Sequence, residues 1–319
     1  MTDKQINKWL RRRFSPTGWV LLGYYGLINV LSFAAMFWEA LRQVHRMDNR
    51  GPFWFKQLDM DAIAANAWGY ITAIAVLFVI LWVWKGSEYW RKEVFAKEKS
   101  MTAGVFFTLL CLCMGSQMVN SFWISGLEVL FNLFDKSLMP LMEAVSGASD
   151  TFSMFLYASI LAPVAEELLF RGFVLRTLRP YGKRFAILGS AFLFGLFHGN
   201  LLQTPYAFLA GLILGYLAAE YHIVWAIALH IFNNLVLADL LTRFTAPFSQ
   251  EIAAAVNLAL FGVGTLVAGI VLVLKRGEIA AWFRRESMDR RCLKWFFLNS
   301  GTIVLFLMMA ANGILIMLV

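Results

Sequence analysis

Charge is what this 319-residue chain has least of: Asp, Glu, Lys and Arg together make up 15% of it, against 60% hydrophobic and 16% aromatic residues. With a mean hydropathy of +0.66, that scarcity excludes an ordinary soluble domain and indicates a membrane protein. Cysteine is nearly absent. Cys111 and Cys113 lie in an apolar run and Cys292 in a basic loop, which matches neither a disulfide framework nor a zinc-binding spacing. There is no GxSxG and no HExxH, which excludes a nucleophile elbow and the usual zinc-protease helix. No small-residue cleavage site follows the first apolar run, so a retained helix is expected there rather than a signal peptide. The net charge of +8 sits in short blocks between apolar runs. The positive-inside rule accounts for that distribution without a nucleic-acid partner.

What is present in quantity is apolar length. A window of roughly 20 residues predicts nine spans, at 18–40, 62–85, 101–123, 151–176, 184–200, 205–220, 223–241, 252–275 and 295–319. The stretch 124–148 is apolar but interrupted by Glu128, Asp135, Lys136, Pro140 and Glu143, and is expected to be an amphipathic segment lying on the membrane. The expected architecture is an all-α polytopic membrane protein in three parts: an N-terminal region 1–150, a four-span core 151–241 and a C-terminal region 242–319. With the N-terminus inside, the connections WKGSEYWRKEVFAKEKS, RTLRPYGKR, EYH and KRGEIAAWFRRESMDRRCLK fall on one side. All but EYH are clearly basic, and none of the connections left for the other side is a basic block. The expected placement is the bacterial cytoplasmic membrane, N-terminus cytoplasmic and C-terminus outside.

Ionisable groups within spans cost about 2.5–3.5 kcal/mol each on insertion scales, so they need a reason. Three clusters stand out: Glu166, Glu167 and Arg171 in LAPVAEELLFRG, His198 in FGLFHGN, and His230 with Asn233 and Asn234 in ALHIFNN. Glu167 and Arg171 are four apart with the acid first, so they can pair along one helix face. Glu166 points about 100° away and has no basic neighbour at helical spacing. Pro163 lacks a backbone donor and loosens the turn before it. If the fourth and fifth spans turn near Gly182, Glu166 and His198 lie at equal depth, about 24 Å from the turn. A second hairpin turning near His222 puts His230 and Asn234 on one face, about 12 and 18 Å from its turn. Gly195 with Gly199, and Gly211 with Gly215, are small-xxx-small pairs that let helices approach closely. His45 and His222 read as loop residues.

A carboxylate and an imidazole can hold and deprotonate a water, while a second imidazole and a carboxamide can donate to a developing oxyanion. That set hydrolyses an amide. Glu166, His198 and His230 are also three possible Zn2+ ligands with one position left open. The donor types favour the metal-free carboxylate route, which requires no cofactor.

EELLFR fits EExxxR, FGLFH fits FxxxH and HIFNN fits HxxxN. In order and spacing they resemble the CPBP family, the CAAX-protease and bacteriocin-processing (Abi) group of intramembrane endopeptidases. The resemblance covers about residues 150–241. It implies that Glu166 and His198 activate the water, that His230 and Asn234 stabilise the oxyanion, and that Glu167 and Arg171 support the site. It implies as substrate a membrane-associated protein or peptide met within the lipid bilayer. The same family contains scaffold and bacteriocin-immunity proteins, so a non-catalytic membrane scaffold or a bacteriocin self-immunity protein is the alternative function. A transporter is disfavoured, because the two halves show no matching broken-helix segments.

Overall fold

The computed structural model describes residues 2–47, 54–96, 99–138, 141, 151–286 and 288–318. Among these residues the regular structure is helical, with no strand. Helix α1 (Asp3–Arg46) opens on a Thr2 capping box closed by Gln5; at 44 residues it is about 66 Å long, so its Lys- and Arg-rich first turns extend beyond the apolar part. Then follow α2 (Trp68–Tyr89), α3 (Ala103–Asn132) and α4 (Phe152–Tyr181). Next come α5 (Lys183–Phe197), α6 (Thr204–Glu220), α7 (Ile223–Thr245) and α8 (Gln250–Leu274), and finally α9 (Arg276–Arg285), α10 (Arg290–Phe297) and α11 (Ser300–Leu318).

Among the described residues, six helices are long and apolar enough to cross a membrane, and a seventh span results if α10 and α11, bent by 56°, are taken as one. The chain is an integral membrane protein, but the expected count of nine is not reached. With the bent pair counted as one span, the difference from nine lies in α5 and α6. With 15 and 17 residues they reach about 22 and 25 Å, short of a hydrocarbon layer of roughly 30 Å. They pack along each other, and hydropathy alone cannot distinguish helices covered by protein from helices covered by lipid.

The segment expected to lie on the membrane at 124–148 is also different. Residues through Asn132 continue α3 without a break, residues 133–138 and 141 follow it, and 139–140 and 142–150 lie outside the described residues. Glu128, one of the five residues that prompted the expectation, accepts hydrogen bonds from Ser137 Oγ (2.9 Å) and Leu138 N (2.8 Å), folding the chain back on the end of α3.

The four connections that the charge pattern assigns to one side do meet at one end of the bundle. Buried Glu220 accepts from Lys99 Nζ (2.6 Å), Lys183 Nζ (2.6 Å) and Trp282 Nε1 (3.0 Å), one donor from each of the other three. Asp3 pairs with Arg291 at 3.0 Å, which brings the start of α1 to the same end. The hairpin turns fall where expected. Gly182, at φ 120°, joins α4 to α5 in a conformation that L side chains rarely adopt. His222 precedes α7, and its Nδ1 accepts from Val224 N at 3.2 Å.

Helices α1 and α11 run side by side, with Ser15 against Ser300 and Tyr25 against Asn312. They touch backbone to backbone: a Cβ on Gly18 would lie 2.2 Å from the Gly301 carbonyl carbon. Gly211 meets Ala191 and Gly215 meets Ile187 across the α5–α6 interface, as the small-residue spacing predicts. Gly199 plays another part. It is not in a helix seam but in the turn after α5, at φ 63°.

Candidate active site

The polar residues singled out in the sequence come from three elements: the middle of α4, the C-terminal end of α5 and the middle of α7. The local backbone of α4 and α7 is unusual, with i to i+5 hydrogen-bonded turns at 157–161, 167–175 and 232–240. Such π-turns are rare in helices and concentrate at functional positions.

Pro163 shows how one of them is used. Ala162 N donates to Tyr157 O in the i to i+5 pattern. The next donor in that register would be Pro163 N, which has no hydrogen, so Ala158 O is left without a helical partner. Asn234 Nδ2 supplies the missing bond at 3.1 Å. A proline in α4 thereby fixes a carboxamide on α7. The amide is held from the other side as well, because Asn233 Nδ2 donates to Asn234 Oδ1 (3.0 Å) and Tyr206 OH donates to Asn233 Oδ1 (2.7 Å).

The expected helical pair is present: Arg171 Nη1 donates to Glu167 Oε1 at 2.8 Å, and both side chains are 0% exposed. Two buried charges so placed neutralise each other, and the guanidinium is further satisfied by Gly211 O (3.1 Å) and by the face of Phe194, 4.5 Å from the ring centroid. His230 Nδ1 donates to the same Glu167 Oε1 at 2.9 Å, since a carboxylate can only accept. The other nitrogen, Nε2, lies 3.7 Å from Glu166 Oε2. His230 therefore bridges the two carboxylates, a link between α4 and α7 that no helical spacing could show.

Glu166 differs from its neighbour. Its side chain is 22% exposed, and among the described residues no Lys or Arg pairs with it. Tyr24 of α1 and Tyr157 lie close enough to feel its charge.

His198 stands just past the end of α5, with Nδ1 bonded to Phe194 O at 2.8 Å. A carbonyl can only accept, so the hydrogen is on Nδ1 and Nε2 keeps its lone pair. Its ring packs edge-on against Phe194 (4.9 Å between centroids), as does that of His230 (5.8 Å). Both imidazoles and Arg171 are thus arranged around one phenyl ring, though no direct bond joins His198 to Glu166.

The turn carrying His198 is irregular backbone, which at membrane depth requires protein partners for its polar groups. It has them. Asn200 Nδ2 donates to His198 O (3.0 Å), Asn312 Nδ2 of α11 to Gly199 O (3.1 Å) and Trp123 Nε1 of α3 to Leu201 O (3.0 Å). Helices remote in sequence thus hold the turn. Sequence reasoning missed Tyr206 and Asn312, which carry no motif signal, and it quoted Phe194 only as the first residue of FGLFH without giving it a part in the site; these roles follow only from which helices become neighbours.

Among the described residues, no group of three His, Cys, Asp or Glu side chains is arranged to hold a metal ion. Glu166, His198 and His230 do not converge as Zn2+ ligands, because His230 is turned between the two glutamates and His198 faces Phe194.

Comparison with known proteins adds one finding. Residues 148–236 match the family profile described as type II CAAX prenyl endopeptidase Rce1-like. No curated protein and no solved structure matches the chain. The match covers under a third of the sequence, and Glu166, Glu167, Arg171, His198, His230 and Asn234 all fall inside it. In that segment, where the three motifs and the polar cluster coincide, the chain is similar to the Rce1-like family of CAAX-type proteases.

Proposed function

We propose that the protein is an intramembrane endopeptidase that hydrolyses a peptide bond in a membrane-associated protein or peptide, with Glu166 as the base that activates water. The observation that carries this reading is the division of labour between adjacent carboxylates. Glu167 is fully buried and committed to Arg171 and His230, whereas Glu166 is partly exposed and free of any described Lys or Arg. A general base must be reachable and able to take a proton.

In this mechanism a water donates one hydrogen toward Glu166 and the other toward His198 Nε2. Its oxygen attacks the peptide carbonyl carbon while Glu166 takes the first proton. The oxyanion so formed accepts the second Nδ2 hydrogen of Asn234, whose first is held by Ala158 O, with the Nε2 edge of His230 on the same side of the site. Collapse breaks the C–N bond, and Glu166 returns the proton to the leaving amine. Glu167 and Arg171 act through His230 and are positioning residues.

The positive-inside rule places the end bearing Glu220, Lys183 and Arg291 on the cytoplasmic side. Helices α1 and α11 both run away from it, so the chain begins and ends on opposite faces.

The test is terminal proteomics of membrane and secreted fractions from cells producing wild-type protein or Glu166→Ala at equal levels. The expected result is at least one membrane-associated protein whose shortened terminus is found only with wild type. Identical termini in both would refute the assignment.

A further inference from the structure

A second feature lies at the foot of α1, on the end where the basic connections meet. An open pocket of about 670 Å³ is bounded by α1, by Trp295 of α10 and by Ser300 at the start of α11. Its α1 wall carries Lys4, Lys8, Arg11 and Arg12, which recur at three- and four-residue spacing and so share one face. No carboxylate lines it. Among the described residues none pairs with these four cations, and the nearby Asp3 is engaged by Arg291. Like charges at i, i+4 destabilise a helix, so Lys4, Lys8 and Arg12 form an unfavourable row that an anion would relieve. The rest of the pocket is built around that row. Arg11 is held over the Trp295 ring at 5.5 Å, and Trp295 Nε1 donates to Asn7 Oδ1 at 2.7 Å. The hydroxyls of Ser15 and Ser300, 3.0 Å apart, close the side facing the apolar part of the bundle.

Beyond the serines the character changes within a turn. Trp19, whose Nε1 lies 3.4 Å from Ser300 Oγ, is half exposed, and Ile303, Phe306 and Leu307 of α11 are also exposed. The surface is therefore cationic below and apolar above, at the level where α1 leaves the aqueous side. An inorganic anion would use only the lower part. A molecule with a phosphate at one end and acyl chains at the other would use both.

We infer that this pocket binds the phosphate headgroup of an anionic phospholipid, with its acyl chains along Trp19 and the exposed side of α11. Juxtamembrane Lys and Arg attract anionic lipid by an amount that corresponds to a roughly fivefold change in affinity per charge. Removing two of them predicts a loss of about 25-fold. The site is distinct from the polar cluster around Glu166, so its test does not depend on peptidase activity.

The full chain is purified in uncharged detergent and titrated with phosphatidylglycerol, with phosphatidylcholine of the same acyl chains, or with sodium phosphate. Thermal midpoint and lipid retained in native mass spectrometry are read together. Phosphatidylglycerol should raise the midpoint and remain bound, phosphatidylcholine should do neither, and Lys8→Gln/Arg12→Gln should weaken the response about 25-fold. Arg91→Gln, which removes an exposed cation elsewhere on the same end, should leave it intact. An equal response to both lipids overturns the proposal, as does a double variant within twofold of wild type. An equal loss in Arg91→Gln would reduce the effect to general charge. A full response to sodium phosphate alone would make the ligand a free anion and overturn the lipid assignment.

Discussion

Removing either member of the buried Glu167–Arg171 pair should cost more than removing both. Arg171 is fully buried, and its remaining contacts are one carbonyl and one aromatic face. Glu167→Leu leaves that guanidinium without a counter-charge, a loss of about 3–5 kcal/mol. Arg171→Met leaves Glu167 with His230 as its one strong partner, at the lower end of the same range, about 3 kcal/mol. The double variant replaces the charges by apolar groups of similar bulk and leaves chiefly His230 Nδ1 unsatisfied, which costs about 1–3 kcal/mol. It should therefore be no less stable than Glu167→Leu alone, with a coupling energy of about 3 kcal/mol or more. The assay is reversible unfolding of the purified protein in mixed micelles, read by tryptophan fluorescence, for all four members of the cycle. Additivity within about 0.5 kcal/mol would show that the two side chains do not interact as described, and the account of Glu167 as a committed residue would fall with it.

Further outcomes follow from other contacts. Gly18→Ala sets a Cβ 2.2 Å from the Gly301 carbonyl carbon and should cost about 1–3 kcal/mol, whereas Gly26→Ala meets nothing and should be neutral or slightly stabilising; thermal midpoints of the two variants decide it. Tyr206→Phe removes the donor to Asn233 Oδ1, so turnover should fall severalfold with the melting temperature nearly unchanged, since a single hydrogen bond contributes about 0.5–1.5 kcal/mol. If the carboxylate mechanism holds, exhaustive chelation should leave the rate unchanged and metal analysis of active protein should give well under one equivalent of zinc; loss of activity restored by zinc would exclude that mechanism.

Much of this architecture was legible in the sequence, for identifiable reasons. The pairing of Glu167 with Arg171 follows from the helical repeat, the sidedness of the loops from the distribution of Lys and Arg, and the turns at Gly182 and His222 from where apolar runs stop. What escaped was set by register between helices. The bond from His230 to Glu167 spans 63 residues, and the path from Tyr206 through Asn233 and Asn234 to Ala158 joins three helices. Neither leaves a periodic trace. The excess of expected spans has a similar cause, since α5 and α6 are apolar because other helices cover them. Pro163 was recognised as a helix breaker, but its consequence, a free carbonyl for Asn234, depended on an i to i+5 turn that single-residue preferences do not encode.

The central claim is that of two adjacent glutamates one does the chemistry and the other holds the site. It is tested most directly by the single-turnover rate of purified Glu166→Gln against wild type, in the same lipid and on a substrate identified by the terminal proteomics. The side chain keeps its shape and loses only its basicity, so the rate should drop by about 10²–10⁴-fold with no change in melting temperature. A Glu166→Gln protein that is equally stable and cleaves within a few-fold of the wild-type rate would contradict the account.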